Sequence, residues 1–164
     1  MRKVAAACLP LLAIVVLAGS SQAGPTAQDD GCLVVQAARG IVSFNAKGFL
    51  LGRFDQGQID IEDPLQGDGN VHVFGFDKKR LLTETKTRYI GSLVRFRASG
   101  LFKVRVEAVG MELSLGGKGA ATLSSDGFFD AGEYSTDAQS FCESRFQPMP
   151  DLPRKILIAE QTTS

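Results

Sequence analysis

Residues 94–106 read Val-Arg-Phe-Arg-Ala-Ser-Gly-Leu-Phe-Lys-Val-Arg-Val, with apolar and basic side chains taking turns on both sides of a Ser99-Gly100 break. Successive side chains of a strand point to opposite faces, so this period of two predicts strands with one dry side and one charged side. A two-residue turn at Ser99-Gly100 would set Arg97 opposite Phe102 and mix the faces. A three-residue loop from Ser99 to Leu101 instead predicts a hairpin that pairs Ala98 with Phe102, Phe96 with Val104 and Val94 with Val106. Arg95, Arg97, Lys103 and Arg105 then share the other face.

The amino terminus predicts export. Met1-Arg2-Lys3 precedes an apolar run from Val4 to Ala18, and Ser21-Gln22-Ala23 is a small-x-small close. That is the pattern of a secretory signal peptide cleaved after Ala23. The run is shorter than the roughly 20 residues a membrane-spanning helix needs, and Pro10 interrupts it. The expected organisation is a signal peptide over 1–23, a polar leader over 24–31, a single all-β domain over 32–142 and a proline-containing tail over 143–164. With Arg2 and Lys3 removed, the formal charge moves from zero to −2. Such a balance gives no general attraction to nucleic acid. Cys32 and Cys142 remain, and an even pair in an exported chain predicts a disulfide.

Leu33-Val34-Val35 is expected to be the first strand. Residues 41–62 read as a meander with breaks at Lys47-Gly48 and Gln56-Gly57, in which Phe54 pairs with Ile59 and Arg53 with Asp60. Val71 to Phe76 alternates, Asp77 to Arg80 reads as a charged corner, and the second half of residues 81–90 as a strand. A second meander is expected from Val104 to Leu123. A shift of 62 positions lays Val42 on Val104, Gly48 on Gly110 and Gly57 on Gly119, which fits either an internal duplication or two ordinary meanders. Lys155 to Ala159 predicts an edge strand. Residues 40–125 hold no sustained helical period, so the fold class is an antiparallel β-sandwich or small flattened β-barrel. Phe44, Phe54, Phe74, Phe76, Phe96 and Phe102 fall in strand segments and are expected in the core.

Arg95, Arg97, Lys103 and Arg105 are the candidate anion-binding residues, because like charges opposite one another destabilise a sheet unless an anion lies nearby. Two readings of that anion follow. One is a neighbouring acidic strand carrying Asp60 and Glu62, forming a charge ladder. The other is a partner at the cell envelope, either an anionic polymer or lipid head groups, for which arginine's planar fork is suited. His72, the single histidine, lacks partners at triad or metal spacing. Asp126, Asp130, Glu133 and Asp137 match no calcium-loop spacing. The acid pairs Asp60/Glu62 and Glu62/Asp63 could be read as a glycosidase dyad, but with two tyrosines and no tryptophan the usual sugar-stacking platform is thin. No catalytic residue, metal site or cofactor is expected. The expected function is a non-enzymatic, exported envelope domain with a structural or binding role. The alternatives are a β-barrel that binds a small apolar ligand and, third, a hydrolase.

Overall fold

Two very long strands carry the fold. In the computed structural model, which describes residues 30–63, 70–137, 142 and 145–159, β1 spans Gly31–Glu62 and a second long strand spans Lys86–Ser124. Between them lie β2 (Asn70–Phe74) and β3 (Lys78–Leu81), so the second long strand is β4. β5 (Glu133–Asp137), β6 (Gln147–Pro148) and β7 (Arg154–Ala159) follow. The expected signal peptide and nearly all of the leader lie outside the described residues.

β1 and β4 are antiparallel and pair twice over. Val106 has Val42 as its neighbour on one side and Ile59 on the other, while Val42 has Val106 and Leu123. Val42 and Ile59 belong to the same strand, seventeen residues apart, and both oppose Val106 in the antiparallel sense. They therefore run in the same direction, and the chain has travelled once around between them. The β1–β4 ribbon is a coil that pairs with its own next turn.

Glycines mark where this coil bends. Gly48 neighbours Gly100 and Gly117, and Gly57 neighbours Gly91 and Ala108. A Cβ on Gly48 would stand 2.1 Å from the Gly116 carbonyl oxygen, and one on Gly57 would stand 2.4 Å from both the Ala108 Cβ and the Glu107 carbonyl oxygen. Their φ angles of 155° and 153° are ones that side-chain-bearing residues rarely adopt. Two such bends per turn flatten the coil into two layers. One layer holds the segments around residues 34, 114, 51 and 96, edged by β5 and β2. The other holds those around 122, 43, 105, 60 and 88, edged by β7 and β3. The sheet is antiparallel and does not close into a barrel.

The interior comes from the expected alternation. Val94, Phe96 and Ala98 are buried from the first layer, and Phe102, Val104 and Val106 from the second; they join one core with Leu33, Leu50, Phe54, Val42, Ile59 and Leu123. Phe54 and Phe96 are neighbours there, their ring centroids 6.4 Å apart. Burial of a side chain this size stabilises by about 1.5–3 kcal/mol. Phe44 and Phe102 are also buried, but Phe74 and Phe76 are exposed at the sheet margin, contrary to expectation.

The pairing differs from the expected hairpins. Residues 94–98 do not fold back on 102–106. Val94 pairs with Phe54, Phe96 with Gly52 and Val73, and Val104 with Phe44 and Ile61. Phe54 does not oppose Ile59, and Arg53 opposes Arg95 and Glu112 rather than Asp60. Neither expected meander exists as a set of reversals, and Lys78–Leu81 is a short strand paired with β4 rather than a plain corner. The reason is local ambiguity. A glycine can close a tight turn or let a strand round a corner, and alternation on either side is the same in both cases. The 62-residue similarity has the same source, since its glycine matches fall where both long strands bend.

Three other expectations are borne out. The first strand begins around Leu33, β7 matches the expected edge strand and pairs with residues 119–123, and Cys32 and Cys142 form a disulfide with an S–S distance of 2.04 Å. Among the described residues no helix is long and apolar enough to cross a membrane.

Candidate anion-binding groove

Burial of Val94, Phe96 and Ala98 forces Arg95 and Arg97 outward from the first layer. In the same way, burial of Phe102, Val104 and Val106 turns Lys103 and Arg105 outward from the second. The bend at Ser99-Gly100 carries the chain between layers. The four candidate cations therefore divide into two pairs on two outer surfaces and do not share the single face expected of a hairpin.

On the second layer, Lys86, Arg88, Lys103 and Arg105 each meet a carboxylate of this chain. Arg88 grips Asp60 with two hydrogen bonds, Nε to Oδ1 at 2.6 Å and Nη2 to Oδ2 at 2.8 Å, and Lys86 Nζ stands 3.5 Å from Oδ2. The Asp60 side chain is only 5 % exposed. The hydrogen bonds from Arg88 hold its carboxyl below the usual carboxylate range despite the opposing effect of burial. Lys103 pairs with Glu62 at 3.2 Å, and Arg105 reaches Glu107 at 3.5 Å. Lys86, Arg88 and Lys103 form the cross-strand charge ladder foreseen for Asp60 and Glu62, while Arg105 pairs along its own strand with Glu107. A recess of about 140 Å³ lies among Ser43, Asp60, Glu62, Lys86, Lys103 and Arg105, and another of about 450 Å³ runs from Ser43 and Arg105 past Thr122 to Leu152.

The first layer is different. Two rows of outward residues cross its strands. One runs Val34, Ser114, Leu51, Arg97, His72, and the other includes Glu112, Arg53, Arg95, Phe74. All of them except His72 line a groove of about 820 Å³. Within it Arg53 is committed to Glu112, its Nε donating to Oε2 at 2.7 Å and its Nη2 to Oε1. Hydrogen bonding to Arg53 lowers the Glu112 carboxyl below its ordinary range. Arg95 and Arg97 make no ion pair among the described residues, and Arg95 lies beside Arg53, a like charge. Two residues apart on one strand, they project side by side roughly 7 Å apart. Two adjacent guanidinium groups so placed can both donate to one carboxylate, phosphate or sulfate.

The chain matches no protein-family model, no curated protein and no solved structure.

His72 lies on β2 as expected and stacks on Phe74, ring centroids 6.2 Å apart and planes within 5°. Among the described residues no three histidine, cysteine or carboxylate side chains come together as a metal site. Asp126 and Asp130 lie in exposed turns after β4, and Glu133 and Asp137 at the two ends of β5.

Sequence reasoning did not connect Leu51, Arg53, Phe74, Glu112 and Ser114 with Arg95 and Arg97. Their outward direction follows from alternation with buried neighbours. Their adjacency depends on the turn-on-turn register of the coil, which no local pattern encodes.

Proposed function

We propose that this is an exported, non-enzymatic binding domain of the cell envelope that engages an anionic partner through Arg95 and Arg97. The observation carrying this reading is the contrast between the two pairs of candidate cations. Lys103 meets Glu62 and Arg105 meets Glu107, whereas Arg95 and Arg97 make no ion pair among the described residues. Exposed cations with no internal partner leave their hydrogen-bond donors available to a ligand, and the neighbouring Arg53 raises the local positive potential. Export rests on the amino-terminal pattern of residues 1–23.

The test is binding to two anionic probes, a soluble polyuronate and vesicles containing phosphatidylglycerol, at low and physiological salt. Binding that weakens with salt, and falls at least tenfold in Arg95→Ala/Arg97→Ala while the thermal midpoint stays within a few degrees, supports the reading. Unchanged binding in that double variant contradicts it. Mass analysis of the exported product checks the leader, the expected amino terminus being Gly24.

A further inference from the structure

The groove that holds Arg95 and Arg97 is not uniformly polar. Leu51 sits directly beside Arg97, and Val34 lies one strand beyond Ser114 on the same row. Leu51 is 46 % exposed and Phe74, beside Arg95, is 58 % exposed. Strands stand about 4.8 Å apart, so the row from Arg97 through Leu51 and Ser114 to Val34 crosses three spacings, roughly 14 Å of sheet. Ser114, the residue between the two aliphatic side chains, is small and uncharged. At its other end the stretch meets the two arginines. A binding site for a simple inorganic anion or a hydrophilic polymer needs the cations but not the apolar strip. A site for a neutral apolar molecule needs the strip but not the cations.

Resting on the reading that Arg95 and Arg97 bind an anion, we infer that the ligand is a single-chain anionic amphiphile. Its phosphate or carboxylate head lies between the two guanidinium groups, and its alkyl chain runs over Leu51 toward Val34. The groove volume of about 820 Å³ is in the range of small-molecule sites. The charge matches, because Glu112 is occupied by Arg53 and the remaining groove cations are uncompensated. The strip also differs from the outer surface of the second layer. There the corresponding positions hold Ser43, Arg105, Asp60 and Arg88, with no aliphatic residue between the charges.

The experiment is calorimetric titration of the protein expressed from the full sequence with inorganic phosphate, hexyl phosphate, dodecyl phosphate and neutral dodecyl maltoside, all below micellar concentration. The expected result is that dodecyl phosphate binds at least tenfold tighter than hexyl phosphate and that dodecyl maltoside binds at least tenfold weaker than dodecyl phosphate. Leu51→Asn should weaken dodecyl phosphate fivefold or more and leave inorganic phosphate within twofold. Leu51 is half exposed, and circular dichroism verifies that this variant folds. Equal affinity for all three phosphates, or insensitivity to Leu51→Asn, overturns the amphiphile while leaving the anion reading standing. Equal affinity for dodecyl phosphate and dodecyl maltoside overturns the role of the arginines in it. No binding of any phosphate, together with no binding of the polyuronate or the vesicles, overturns both proposals.

Discussion

At the scale of single residues, charge is used in two ways. Asp60 is covered and pinned by Arg88 and Lys86, so it serves the fold. Its native carboxyl ionises below the ordinary range. The stabilisation it supplies is therefore fully present above the unfolded carboxylate value and is lost as acid carries the pH down through the depressed native value. Asp60→Asn should cost about 2 kcal/mol at neutral pH, since Arg88 and Lys86 lose the negative charge and one of the two acceptor oxygens but can partly rehydrate. It should also flatten the fall in stability between neutral pH and pH 3, as read from urea unfolding at each pH. The exposed Arg53–Glu112 pair should matter far less, with Glu112→Gln changing stability by no more than about 1 kcal/mol. The direction of each side chain was legible in the sequence. Arg95, Arg97, Lys103 and Arg105 point outward, and Val94, Phe96, Val104 and Val106 inward, as strict alternation requires. Phe74 was misassigned because it alternates with Val71 and Val73, which pack against the core, and so shares the outward face with His72 and Arg95.

At the scale of elements, the corners decide the architecture. Gly48 and Gly57 let β1 bend without ending, and a Cβ at either would strike backbone of the next turn. Gly57→Val should destabilise by more than about 3 kcal/mol, combining an unfavourable φ with overpacking. Gly116 is the control. A Cβ there meets nothing within 4 Å, and Gly116→Ala should stay within about 0.5 kcal/mol. Chemical denaturation of the three proteins side by side separates these outcomes. The glycine positions were legible as breaks, but their meaning was not. A turn and a corner have the same composition, and only the partner strand tells them apart. Partner choice here depends on a register in which residues seventeen apart on one strand flank the same residue of the other. Such non-local pairing leaves no short-range period to read.

At the scale of the whole molecule, the coil sets one outer surface against the other, and the disulfide ties the start of β1 to the segment after β5. Cys32 and Cys142 close a loop of 110 residues. Reduction, or Cys142→Ser, should lower stability by about 2–5 kcal/mol, measured as a shift in the urea midpoint with and without reductant. The pairing of these cysteines was legible from their even number and from the expectation of export, and so was the all-β class. The separation of the four cations was not, because it follows from the chain rounding Ser99-Gly100 into the opposite layer. That separation is the centre of the account, and one comparison tests it. Arg95→Gln/Arg97→Gln and Lys103→Gln/Arg105→Gln are measured for binding of the same anionic probe and for thermal stability. The account predicts that the first pair abolishes binding with the melting temperature held, and that the second leaves binding intact and moves the melting temperature by no more than a few degrees, its ion pairs being half exposed. Equal loss of binding in both pairs would mean that the four cations form one surface, as in a simple hairpin, and would contradict it.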